Sequence, residues 1–370
     1  RKSKEDDAKD TRQERAIQWD NIEKGLSGEK NELWYFLTTK DASAYPTRIE
    51  ILFDMMAEKT PCEREKHFTF FWFEREIKAH GVMAIWEEIQ QSFLQIKEWF
   101  TDNVLYHKIG YLISSGSKTM TDIFQLAHGK RKSVFVSELN AMIAESINFK
   151  MKEGETLRDL DYRNHYGDIS RLLLLFNVES IIQNGVYQRF PFSKYNTAEW
   201  SLEHIHAQNS QGLKTKETQL EWVKMHLNSV KAVSENGKYD ALIQQMKDII
   251  ETGNVDARGT FDELAKSVSS ALSEDTNYDY IDTISNMALL SKSDNSALNN
   301  STFDVKRNMI VDMDQRGAFI PYCTKMVFLK YYTPSAENQM HFWGQKDRDA
   351  YIGAMEKTLA PYLSLINKTF

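Results

Sequence analysis

Two stretches decide how this chain is read. The first is Trp200-Ser201-Leu202-Glu203-His204-Ile205-His206-Ala207-Gln208; the second is Asn286-Met287-Ala288-Leu289-Leu290-Ser291-Lys292-Ser293-Asp294-Asn295. Residues 200–206 alternate in the manner of a strand, after Phe190-Pro191-Phe192 has broken the helical pattern before them. Tyr280 to Leu290 offers a second short strand, and Asp294 to Asn300 reads as loop. A helix is predicted from about Ser301. Ser301-Thr302-Phe303-Asp304 has the spacing of a capping box, and Phe303 and Ile310 form its inner face.

The residue types matter as much as the elements. Hydrolysis of a phosphodiester needs a water relieved of a proton, a cation on the scissile phosphate and stabilisation of the leaving oxygen. A neutral histidine takes a proton near pH 7. A hard divalent cation prefers oxygen donors, which Glu203 and an asparagine carbonyl supply. A second asparagine can hold the histidine loop or orient its ring. Each residue alone is ordinary, since a Glu-His pair on a strand is usually surface or core and asparagines favour turns. Their joint occurrence, in strand-strand-helix order, carries the functional reading. Alternation places His206 on the same side of the strand as His204.

Outward from these stretches the chain reads as helix. Ile49, Leu52, Phe53 and Met56 form one apolar stripe, and Val82, Ile85, Trp86, Ile89, Phe93 and Ile96 form a longer one. Leu172 to Ile182 is apolar enough to be buried on all sides, whereas Phe68 to Phe73 fits either a strand or a buried helical turn. Between the two decisive stretches, helical pattern runs from Thr218 to Glu251 and from Thr260 to Leu272. Gly129-Lys130-Arg131-Lys132 is a basic cluster of the kind usually found on a solvated helix end.

Composition narrows the class. The 370 residues are 41% hydrophobic and 12% aromatic, enough for a core, so a disordered chain is excluded. Sixteen glycines and six prolines are few for this length and disfavour a turn-rich β protein. No apolar run approaches the ~18 residues of a membrane helix. Cys62 and Cys323 stand far apart, with no spacing for a zinc site, which points to a reducing cytoplasm. The net charge of −7 argues against holding nucleic acid by an overall field, though not against a local site. The polar first fifteen residues lack the apolar core of a signal peptide, and the expectation is that the chain is the C-terminal part of something longer.

At the two decisive stretches the chain resembles the HNH (His-Me finger, ββα-metal) nucleases. Asn299-Asn300-Ser301-Thr302-Phe303-Asp304-Val305-Lys306-Arg307 and Gly317-Ala318-Phe319-Ile320-Pro321 narrow the resemblance to the nuclease half of GmrSD-type modification-dependent restriction proteins. The resemblance spans roughly 196–335. It implies a mainly α chain: a helical N-terminal region, then a C-terminal α+β domain containing the ββα-metal motif with a long helical insertion. The expected divisions are 1–16 as charged linker or helix entry, 17–188 as helical domain, 189–345 as nuclease domain with its insert at about 210–275, and 346–370 as a C-terminal helix.

The resemblance also implies roles. His204 would be the general base, Glu203 and Asn295 the ligands of Mg²⁺ or Mn²⁺, and Asn286 the residue that steadies the histidine loop. Lys306 would contact phosphate as part of the catalytic set, and His206 and Arg307 would bind substrate. The expected partners are DNA, modified phage DNA in particular, and an N-terminal ParB-like NTPase domain not found in this sequence. Ala207 stands where the family has Pro, and the stretch from His204 to Asn286 is longer than in compact HNH motifs. Two other readings stay open: an inactive HNH-fold module that docks a partner, and a nuclease acting on RNA.

Overall fold

The structure, a computed structural model, describes residues 4–28, 31–149, 156–185, 189–206, 213, 215–255, 261–273, 279–298, 301–334 and 340–366. Helix dominates the described residues, with a single two-stranded sheet, as the scarcity of glycine and proline leads one to expect. Contacts group Arg1–Ser146 with Asn184–Thr197 into one unit, and Ile147–Gln183 with Ala198–Lys368 into a second. Among the described residues no helix is long and apolar enough to cross a membrane.

The first unit is all helix: α1 (Lys4–Leu26), α2 (Glu32–Leu37), α3 (Glu50–Met56), α4 (Phe68–His80), α5 (Val82–Thr101), α6 (Asn103–Ser114), α7 (Met120–Ala127) and α8 (Lys132–Ser146). The charged start of the chain is therefore part of a helix from Lys4 onward. The stripe on α5 buries Ile85, Ile89, Phe93 and Ile96 but leaves Val82 exposed. Asp102 caps α6 by accepting the Val104 and Leu105 amides at 3.0 and 2.9 Å. Its other carboxylate oxygen meets Lys132, and Lys130 meets Glu138, so the basic cluster is a helix entry neutralised locally.

Phe68 to Phe73 is corrected by the structure: it is the first half of α4, and α4 buries no residue. An extended run there would need a sheet edge, and none of the described strands in this unit offers one; a helix satisfies its backbone groups internally. Late in the chain α9 (Tyr166–Asn184) precedes α10 (Phe192–Asn196), whose Phe192 packs against α6. That approach needs Gly110, because a Cβ there would lie 2.2 Å from the Phe192 ring.

The second unit is built around α9, whose residues from Leu172 to Phe176 are all buried. Burying a leucine side chain contributes about 1.5–3 kcal/mol. Polar groups of α9 are satisfied inside: Asn177 Oδ1 accepts the Cys323 amide at 2.7 Å, and Glu179 accepts the Tyr362 hydroxyl. Strand β1 (Trp200–His204) pairs antiparallel with β2 (Met287–Ser291), Leu202 opposite Leu289 and His204 opposite Met287. The second strand begins later than Tyr280, because Ile284–Asn286 forms a 3₁₀ turn whose Asn286 is drawn to the end of β1.

Between the strands lie α11 (Lys216–Val233), α12 (Asp240–Thr252) and α13 (Phe261–Ala271), which share a core of Trp222, Val230, Met246, Ile249, Leu264 and Val268. After β2 come α14 (Lys292–Leu298), α15 (Phe303–Gln315), α16 (Tyr322–Phe328) and α17 (Gln345–Ile366). The expected inner face of α15 is buried at both Phe303 and Ile310.

The expected capping box does not form. Thr302 is the cap residue, the Ser301 and Thr302 hydroxyls are buried without partners, and Asp304 is held by His341 at 3.0 Å. The Thr302 amide instead donates to His226 Nε2 at 3.2 Å, while His226 Nδ1 donates to the Trp222 carbonyl. An imidazole from the insert thus accepts the amide of the cap residue itself.

Two expected outcomes follow. Gly110→Ala pushes Phe192 from its place and lowers stability by about 1–3 kcal/mol, the usual range for overpacking, which urea unfolding measures. Burial lowers the imidazoles of His107 to about 4 and His226 to about 3. An unfolded chain takes up those protons near pH 6.5, so it binds more protons than the folded one below that pH. Unfolding free energy therefore falls as pH drops from about 6.5 toward 4. His107→Gln with its neutral amide flattens that slope.

Candidate nuclease site

Strand β1 and the residues just after it are held by three neighbours. Lys306, reaching from the first turn of α15, is 1% exposed, and its ammonium meets the Glu203 carboxylate, itself 5% exposed. The same ammonium donates to the His204 carbonyl at 2.6 Å. Burial raises the Glu203 carboxyl above its usual value, and the Lys306 charge opposes that rise. A buried pair of this kind depends on both members, since either alone is an uncompensated charge.

Asn286 is the second neighbour. Its Oδ1 accepts the His206 amide at 2.9 Å, and its Nδ2 donates to the carbonyls of His206 and Ile281, each at 2.9 Å. One carboxamide therefore staples both backbone groups of His206 and fixes where the chain leaves β1. Asn295, on α14, is the third: its Nδ2 donates to Ser201 Oγ at 2.8 Å and to the Leu202 carbonyl at 3.3 Å.

His204 is the partly open member of the group, with its side chain 27% exposed. Its Nε2–H donates to Asp282 Oδ1 at 3.1 Å, and its ring lies 5.0 Å from that of Tyr162. The other Asp282 oxygen receives Arg163 Nε at 2.7 Å, on a side chain that is 79% exposed. Burial lowers the His204 imidazole below its ordinary value; the Asp282 hydrogen bond works against that and the Lys306 charge with it. With Nε2–H on a carboxylate, Nδ1 carries the lone pair, and no partner for it is present among the described residues.

The remaining candidates sit differently. His206 lies two residues beyond the end of β1 and does not continue its alternation; it is 1% exposed, both ring nitrogens lack partners, and burial lowers its imidazole to about 3. A substrate has no path to a ring so enclosed. Lys306 is likewise out of reach of a phosphate while it holds Glu203. Arg307 is half-buried, and its Nε is buried without a partner. Ala207, Gln208, Asn299 and Asn300 lie outside the described residues.

The donors expected for a divalent cation are of the right kind, a carboxylate and an amide oxygen. They do not fit one as arranged, however. Glu203 is engaged by an ammonium, and a second cation on it would stand against that charge. Among the described residues no group of three or more His, Cys, Asp or Glu side chains gathers to hold a metal.

Asp282, Tyr162 and Arg163 were not singled out from the sequence. Asp282 had a faint signal, being an acid four residues ahead of Asn286. Tyr162 and Arg163 had none, since they come from the segment before α9 and reach His204 only through the fold, where Asp161 bridges to Thr283.

Residues 262–324 match the family model for the C-terminal domain of the GmrSD restriction endonucleases. The chain carries a GmrSD-type C-terminal domain. The match contains Asn286, Asn295, Lys306 and Arg307, and begins after Glu203 and His204, which β1 brings to it. No curated protein and no solved structure matches the chain.

Because the GmrSD-type domain rests β1 on Lys306, Lys306→Met is expected to cost about 3–5 kcal/mol, the range for a buried charge left alone. The double variant Lys306→Met/Glu203→Leu recovers most of it. Thermal unfolding of both variants measures this, and equal stability of the single variant and the parent chain would show that the pair carries no such dependence.

Proposed function

We propose that the C-terminal unit is a nuclease that hydrolyses phosphodiester bonds, with β1, β2 and the helices after β2 serving as its ββα element. The observation that carries this is His204: a partly exposed imidazole with one nitrogen held by Asp282 and the other without a partner, at the end of a strand fixed by Asn286 and Lys306. The match to a restriction-endonuclease domain supports the same reaction class.

The chain's own groups supply these steps. Asp282 fixes the His204 tautomer, so Nδ1 is the atom that takes the proton from an attacking water. Asn286 holds the backbone after His204 and keeps the imidazole where β1 delivers it. Arg163, whose Nε is held by the other oxygen of Asp282, presents an exposed guanidinium whose remaining N–H donors suit a phosphate oxygen. The resemblance implies a divalent cation as cofactor, Mg²⁺ or Mn²⁺, and DNA as substrate, modified phage DNA in particular. It also implies an NTPase domain as the partner that senses the modification, and such a tethered cutter needs little affinity of its own.

Cleavage of a supercoiled plasmid by the purified chain tests the proposal. His204→Ala should abolish nicking, and Asp282→Asn should lower its rate by about 10–10²-fold, less than the 10²–10⁴ a general base contributes. Undiminished nicking by His204→Ala would overturn the assignment of the base. Including Mg²⁺, Mn²⁺ or EDTA measures the cation requirement. The resemblance predicts loss in EDTA, whereas the Glu203–Lys306 pair as arranged predicts none. An RNA substrate of the same sequence separates the RNA reading from the DNA one.

A further inference from the structure

Helices α1, α3, α4 and α5, all within the first unit, line an open cavity of about 750 Å³ that the nuclease reading does not use. Its size lies within the range of small-molecule sites. Its walls are aromatic: Trp19 lies parallel to Trp86 with centroids 6.2 Å apart, Phe53 packs edge-on against Trp19 at 5.7 Å, and Phe73 against Phe53 at 5.1 Å. Four of its apolar side chains, Trp19, Phe70, Ile77 and Val82, are left exposed to solvent, and α4 buries none of its residues. Apolar groups left open around a concave site mark a place where something binds.

The charges select the ligand. The Asp54 carboxylate is satisfied internally by Lys59, the Tyr45 hydroxyl and Thr69 Oγ1, so Asp54 and Lys59 cancel. Glu50 accepts the Thr47 hydroxyl. Three further cations line the space: Lys40, which lies over the Tyr45 ring, Lys66 and Arg15. The Arg15 guanidinium is poorly served: Nη2 rests on the Met83 thioether, a weak acceptor, and Nε is buried with no partner. A guanidinium keeps its charge in proteins and matches a phosphate with its planar fork. Aromatic faces stack on any nucleobase, because every base has a π-face.

From these features we infer that the cavity binds a nucleotide, its base against the Trp19–Phe53–Phe73 wall and its phosphate on Arg15 and Lys66. The nucleotide is either free or part of a strand. Neither source depends on the nuclease proposal, and the site lies outside the residues that match the nuclease family.

Titration of the full chain in EDTA, followed by tryptophan fluorescence and calorimetry, tests this. The probes are the four deoxynucleoside monophosphates, deoxyadenosine, inorganic phosphate and a single-stranded (dA)₁₀. The expected result is saturable binding of at least one monophosphate, with deoxyadenosine and phosphate each at least tenfold weaker. Binding of (dA)₁₀ without binding of any monophosphate assigns the site to a strand. In either case Arg15→Gln and Phe70→Ser, both at positions not buried in the core, must weaken binding at least tenfold while the melting temperature holds. Trp86→Leu, if folded, must do the same. No saturable binding of any probe, or binding that Arg15→Gln and Phe70→Ser leave unchanged, overturns the inference.

Discussion

One buried ammonium sets the geometry on which the candidate site depends. Lys306 meets the Glu203 carboxylate and the carbonyl of His204 from the first turn of α15. Removing two charges from water costs several kcal/mol per ion, and their attraction offsets this only when donors and acceptors are well placed. Here the lysine adds a backbone acceptor to its carboxylate, so the same contact that neutralises Glu203 fixes the end of the strand bearing His204. Helix α15 and strand β1 cannot move apart without leaving a charge unpaired in the interior. The same bond withholds Glu203 from any other cation.

A two-stranded sheet is marginal on its own, and this one is completed by side chains instead of a third strand. The Thr324 hydroxyl donates to the Leu289 carbonyl at 2.6 Å, and the Tyr351 hydroxyl donates to the Met287 carbonyl at 3.1 Å. Helices α16 and α17 thereby satisfy carbonyls along β2, which is buried at every residue. The insert between the strands does not weaken the arrangement, because loop-closure entropy grows slowly with length and the insert has a core of its own. Its His226 also accepts the first free amide of α15, which links the insert to the helix that carries Lys306.

Much of this was legible in the sequence, and the misses share a cause. The helices with regular apolar stripes and the strand at Trp200 were readable from periodicity, because burial imposes period 3.6 or 2 on the residues it touches. Asn286 and Asn295 were singled out through the resemblance, and the fold brings both side chains to β1 and the residues just after it. Phe68 to Phe73 was not, since six aromatic or apolar residues in a row carry no period and fit either element. The capping box at Ser301 failed because the helix is capped at Thr302, one residue later, and Asp304 is held by His341. His206 was placed with His204 by alternation, but the strand stops at His204 once Asn286 seizes the following residue.

The sequence by itself determined the mainly helical class, the strand with its Glu-His pair, and the order in which the chemistry-bearing residues occur. These are local properties, set by side-chain type and period along the chain. Only the tertiary structure decided that Glu203 faces an ammonium, that Asp282 holds both His204 and Arg163, and that four helices of the first unit line an aromatic cavity. Each of these joins residues far apart in the chain. Such pairings depend on which backbone and side-chain groups are left unsatisfied when the helices pack, and no local pattern records that.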